Sequence, residues 1–227
     1  MNIDVRHSPS FAVARLGLGP GETIRAEAGA MLAMSDGVAI EASMQGGLMK
    51  SLRRGVLGGE SLFMTTFTAS DGGGWVDVAP QLPGDVTTLE LQHDTPLVLD
   101  RGSFLACASS VEIDSKWKGF KSLFGGEGGF MVHASGAGPL VMASYGAIDR
   151  VELAAGERLV VDTGHMVAFP ESIDWTLRRA ADGKTITSMK SGELFVFEFV
   201  GPGLLLTQTR SFQSLVALLR PELGTRD

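Results

Sequence analysis

The side chains best suited to chemistry are few and scattered. His7, His93, His133 and His165 are the four histidines, and no two of them stand two residues apart. A metal site needs several close histidine and carboxylate ligands, because they must converge on one cation. No metal or other cofactor is therefore expected. His165, directly after Gly164, is the best single candidate, and a histidine in a turn is the simpler expectation. Cys107 lies in the apolar run Phe104-Leu105-Ala106-Cys107-Ala108, where a buried small hydrophobe is expected rather than a reactive thiol. Gly17-Leu18-Gly19-Pro20-Gly21 is not a strand-to-helix dinucleotide fingerprint, and Gly125-Gly126-Glu127-Gly128-Gly129 lacks the Lys-Ser or Lys-Thr of a phosphate loop. No Gly-x-Ser-x-Gly elbow supports a nucleophilic serine. The expected catalytic set is empty, and the chain reads as a non-enzyme.

One pattern points outward instead. The segment from Met44 to Gly59 carries Lys50, Arg53 and Arg54 with no acid, and the segment from Ser115 to Gly126 carries Lys116, Lys118 and Lys121 with no acid. Trp117 and Phe120 are interleaved with the second set of bases. Cations mixed with bulky apolar groups suit an anionic membrane surface, or a protein partner with an acidic and apolar patch. These eight residues are the candidate partner-binding set. The competing expectation is that the apolar groups cover the open end of a β module while the bases stay solvated. The corresponding stretch from Arg178 to Lys190 is mixed in charge.

The elements that must position these groups follow from composition. The chain has 227 residues, a net charge of −7 and a mean hydropathy of +0.17, with no apolar run long enough for a membrane-spanning helix. Its 30 glycines exceed the roughly 7% usual in proteins, and without a three-residue period they imply many turns. Much of that glycine recurs in register. Around Gly29, Gly102 and Gly164 the sequence repeats an acid two residues before, an alanine four residues after, and an apolar pair nine and eleven residues after. A Gly-Glu pair ending in Glu60, Glu127 and Glu193 then precedes an apolar strand, and a glycine turn precedes another. The alternation around each landmark has period two, so each copy reads as a run of short strands with glycine at the turns. The acids before each central glycine are expected to hydrogen-bond their own turns. The expectation is an all-β chain of three repeated modules, at residues 1–81, 82–145 and 146–227. A helix is predicted after Ser211, from its cap and the apolar spacing through Leu219.

The segment Pro20-Gly21-Glu22, the run from Ala26 to Met34, the stretch Gly58-Gly59-Glu60-Ser61 and the internal three-fold pattern resemble the family of unknown function that includes the altered-inheritance-of-mitochondria proteins and many bacterial homologues. The resemblance covers about residues 3–218. It implies short double-stranded β-helix modules similar to the trp RNA-binding attenuation protein, with three chains closing a nine-module ring. It also implies an association with inner-membrane organisation for the mitochondrial members, and it supplies no catalytic residues. Such a homotrimer leaves no free strand edge if its rotation closes.

The function expected is a non-enzymatic homotrimeric scaffold that binds a protein or membrane-surface partner through the basic inserts. RNA binding by analogy of fold is the alternative, opposed by the −21 that three −7 chains would carry. A small-ligand binder or enzyme with a pocket between modules is the second alternative. The N-terminal residues Met1 to His7 lack a basic segment followed by an apolar stretch, so a cytoplasmic location, with peripheral membrane contact through the inserts, is expected.

Overall fold

Antiparallel pairing, mostly between strands that are not consecutive in the chain, builds the fold, and the computed structural model describes it for residues 1–44, 63–115, 131–180 and 195–223. The strands run in chain order as β1 (Asn2–Arg6), β2 (Val13–Leu18), β3 (Thr23–Glu27), β4 (Met31–Met34), β5 (Ala39–Met44), β6 (Phe63–Thr68) and β7 (Gly74–Val78). They continue as β8 (Val86–Leu91), β9 (Leu97–Asp100), β10 (Phe104–Ala108), β11 (Val111–Asp114), β12 (Met131–Gly136) and β13 (Gly138–Ala143). The last group is β14 (Ile148–Leu153), β15 (Arg158–Asp162), β16 (Met166–Pro170), β17 (Asp174–Arg179), β18 (Phe195–Val200) and β19 (Gly203–Gln208), followed by helix α1 (Phe212–Leu223). The all-β class with a C-terminal helix is as expected. Among the described residues no helix is long and apolar enough to cross a membrane.

Four sheets result, in the orders β1-β2-β7-β4, β5-β6-β3-β10-β13-β8, β11-β12-β9-β16-β19-β14 and β15-β18-β17. Each six-stranded sheet is two three-stranded halves joined at its middle, by β3–β10 in one and by β9–β16 in the other. At the first joint Ala106 faces Ala26, and at the second Ala168 faces Leu99. Each time the alanine four residues after a central glycine opposes the residue three before the preceding one. Strands β4, β10 and β16 also share a bulge at the same offset, between Met31 and Ala33, Phe104 and Ala106, and Met166 and Ala168. A bulge lets neighbouring side chains point to unlike surroundings and sharpens the local twist.

The cores follow from that geometry. Strand β2 alternates strictly, burying Ala14, Leu16 and Leu18, as expected of a half-covered strand. Strands β10 and β16 are buried on both faces. Leu105 and Ala106 of β10 pack with Leu16, Ile24 and Phe67, whereas Phe104 and Cys107 pack with Leu99, Leu140 and Val132. Strand β16 divides in the same way, with Val167 and Ala168 in that second core. Its Met166 and Phe169 join a third core around Phe197 and Phe199, where Phe169 and Trp175 meet edge to face at 5.3 Å. Each central strand is thus a wall shared by two cores.

Helix α1 begins as the sequence predicts. The Ser211 hydroxyl accepts from the Ser214 N–H at 3.4 Å, and Leu215 N–H donates to the Ser211 carbonyl at 3.1 Å. The helix runs beyond the predicted end to Leu223, through Pro221. No residue of α1 is buried, so its apolar side chains Phe212, Leu218 and Leu223 remain exposed.

Candidate functional site

Four of the residues marked by the repeat, Glu27, Asp100, Gly102 and Gly164, line one cavity. Glu27 ends β3, and Asp100 ends β9 and caps a 3₁₀ turn over Arg101–Ser103. Between them lies a cavity of about 400 Å³, with Arg101, Leu105, Tyr145 and Phe212 among its walls. The Asp100 carboxylate accepts the Gly102 N–H at 2.9 Å, and Asp162 accepts the Gly164 N–H at 2.8 Å in the matching turn over Thr163–His165. The turn-bonding role expected for these two acids is what they perform. Glu27 differs. Its backbone carbonyl accepts from Ala30 N–H at 3.0 Å, and its side chain reaches the cavity instead.

The reason for glycine also differs between the copies. Gly29 has φ 89°, the left-handed region that side chains avoid. Gly102 and Gly164 are needed for close approach, since a Cβ would lie 3.1 Å from the Asp100 carboxylate in one and 2.7 Å from the Ser211 hydroxyl in the other. All three central glycines stand at turns, as expected, and Gly29 alone of the three does so with a positive φ.

The far wall is tied together by Gln208. Its side-chain amide donates to the Gly164 carbonyl at 3.0 Å and its amide oxygen accepts from Tyr145 N–H at 2.8 Å. His165 lies with Nδ1 2.7 Å from the Gln208 carbonyl, so the histidine favoured as a lone ligand is a turn histidine. Phe212 and Gln213, at the start of α1, close over this wall.

Electrostatics set what the cavity can do. Burial pushes the Glu27 carboxyl up to about 7, and the Asp100 charge adds to the effect. Burial likewise pushes Asp100 up to about 7, against the opposing pull of the Gly102 N–H and the Arg101 guanidinium. Two carboxyls titrating near neutrality can hold a proton or receive an organic cation. In the same wall the Ser144 hydroxyl donates to the Gly146 carbonyl at 2.7 Å. Among the described residues no group of three His, Cys, Asp or Glu could hold a metal ion.

Two further polar sites escaped the sequence. Asp77 on β7 is buried and accepts from Arg15 twice and from Arg6 once, each at 2.8 Å. Hydrogen bonds from Arg15, reinforced by Arg6, hold its carboxyl below the usual range. Arg15 also stacks 3.8 Å over the Trp75 ring. His133 pairs with Glu171 at 3.0 Å. Partners of this kind, remote in the chain, could be found only once the fold was known. Cys107 is buried, and loss of solvent pushes its thiol up to about 11, in keeping with a packing role.

The basic and apolar set Lys50, Arg53, Arg54, Lys116, Trp117, Lys118, Phe120 and Lys121 lies outside the described residues, as do Glu60, Glu127 and Glu193. The strands flanking those stretches are described. Met44 faces Phe63, Asp114 faces His133 and Arg179 faces Phe195, so each of the three stretches starts and ends on a paired hairpin.

A family model described as mitochondrial biogenesis AIM24 matches residues 3–210. An uncharacterized protein of Streptococcus pyogenes serotype M6 is 28% identical over 233 residues, covering 99% of this chain and 92% of the relative. A crystal structure of a Streptococcus pyogenes protein, a structural genomics target, superposes with a TM-score of 0.78 at 24% identity. That superposition covers 97% of this chain and 99% of the other, and it shows a common fold.

Proposed function

The chain belongs to the mitochondrial biogenesis AIM24 family, and from that premise we propose that it is a non-enzymatic, homotrimeric β scaffold displaying a protein- or membrane-binding surface. The carrying observation is that the joints β3–β10 and β9–β16 use the same offset and the same bulge. Like units added by like joints support the reading of an array with modules at residues 1–81, 82–145 and 146–227, which would be a third of a nine-module ring similar in plan to the trp RNA-binding attenuation protein. Each module carries one insert-bearing hairpin, so the ring would repeat the inserts around itself. A cytoplasmic setting with peripheral membrane contact fits this arrangement.

Two measurements test the proposal. Light scattering on a sizing column should give three times the 23.9 kDa of one chain. Co-sedimentation with liposomes containing anionic lipid should show binding at low salt. Reversing Lys50, Arg53, Arg54, Lys116, Lys118 and Lys121 to Glu should abolish it while leaving the trimer intact. Absence of wild-type binding at low salt removes the membrane partner, and tight RNA binding with a steep salt slope would favour RNA instead.

The cavity supports a second reading as a binder of small organic cations. About 400 Å³ with Leu82, Leu105 and Phe212 in its walls and two carboxyls near neutrality suits a primary amine on a short apolar body, with the Arg101 guanidinium in the same lining acting against it. A thermal-shift series of such amines against wild type and Glu27→Gln tests it, and equal shifts in both proteins would reject it.

A further inference from the structure

We infer that β15 of one copy docks antiparallel on β4 of the next, with Ala33 opposite Val161 and Met34 opposite Val160 of the neighbouring copy. The inference deepens the homotrimer reading and rests on it, by naming the contact that would close the ring.

The two internal joints supply the template. At each, a strand ending just before a central glycine pairs with the strand that follows the next central glycine. Cys107 faces Arg25 and Phe169 faces Val98, so the residue five after one glycine opposes the residue four before the preceding glycine. By the same offsets Met34 opposes Val160. Among the described residues β4 pairs only with β7, and β15 only with β18. The other sheet edges behave differently. Strands β5, β11 and β17 are edges in all three copies of the pattern, as are β8 and β14, while β1 covers their counterpart β2. Among the described residues, β4 and β15 are the only strands equivalent to those of the internal joints that lack the joint's partner.

Exposure carries the argument further. Leu105 and Val167, at the bulge of β10 and β16, are 1% and 0% exposed, whereas Leu32 at the same place in β4 is 60% exposed. At the opposite end Val98 is fully buried and Val160 is 52% exposed. Unpaired strand edges flanked by bare aliphatic side chains invite pairing. Strand β4 already holds the bulge that β10 and β16 use while flanked on both sides. The receiving edge is therefore shaped before the second copy arrives. Two unlike edges that fit one another form a head-to-tail contact, the kind that closes a ring.

Paired cysteines test the register. Met34→Cys combined with Val160→Cys should form disulfide-linked chains on a non-reducing gel, whereas Met34→Cys with Arg158→Cys, displaced by two residues, should not. The native Cys107, buried with its thiol pushed up to about 11, does not compete. A trimer by light scattering without the first cross-link overturns this pairing and leaves the trimer standing. Cross-linking into a closed assembly of another size supports the pairing and overturns the trimer. A single chain by light scattering overturns both. Should the cysteine variants fail to fold, Val160→Lys serves instead: it should reduce the assembly to single chains with an unchanged circular dichroism spectrum, and an intact trimer counts against the pairing.

Discussion

Single residues set the response to pH, and they do so in opposite directions. Asp77 titrates below its ordinary range in the fold, so the stability it contributes is present above pH ~4 and is lost as pH falls through its folded value. Glu27 and Asp100 are raised to about 7, so the fold favours their protonated forms, and stability present below pH ~4 is lost as pH rises toward 7. Melting temperature should therefore peak at mildly acidic pH, and Glu27→Gln should flatten the decline between pH ~4 and ~7. A profile unchanged by Glu27→Gln would contradict this assignment. Asp77→Asn should lower the midpoint of chemical denaturation, because it leaves the half-exposed Arg6 and Arg15 beside a neutral group. Gly164→Ala should destabilise more than Gly102→Ala, since its Cβ meets the helix cap as well as the turn carboxylate. The central glycines were legible in the sequence as landmarks. Their separate reasons were not, because the crowding at Gly164 comes from Ser211, which is remote in the chain and adjacent only in the fold.

Elements carry the pattern more plainly. The alternation of Leu159-Val160-Val161 and of β2 marks strands directly, since one covered face imposes period two on the side chains. The helix was equally legible from its cap, and Ser211→Ala should cost about 1 kcal/mol in thermal unfolding. The way in which sheets fuse was hidden. No local signal says that β3 will pair with β10 across the intervening strands, because that pairing depends on which apolar faces are left over when each small core has closed. The cavity was hidden for the same reason. Its two acids are far apart in sequence, and only the β3–β10 joint brings them together.

At the scale of the molecule, the shared walls make the three cores interdependent. Leu105 serves one core and Phe104 the next, so truncating either should weaken both neighbours, and urea unfolding should follow a single transition at any one concentration. If copies associate through β4 and β15, the midpoint should rise with protein concentration, and a midpoint independent of concentration over a hundredfold range would count against association. The two edges are also unlike, and that difference reaches beyond one molecule. A copy harmed only at β15 keeps a sound β4, and it would still accept an intact neighbour while offering nothing onward. Mixed with wild type, such a copy would interrupt closure for its companions as well as for itself, so an edge variant would act dominantly, whereas a variant that destroys the core would be recessive.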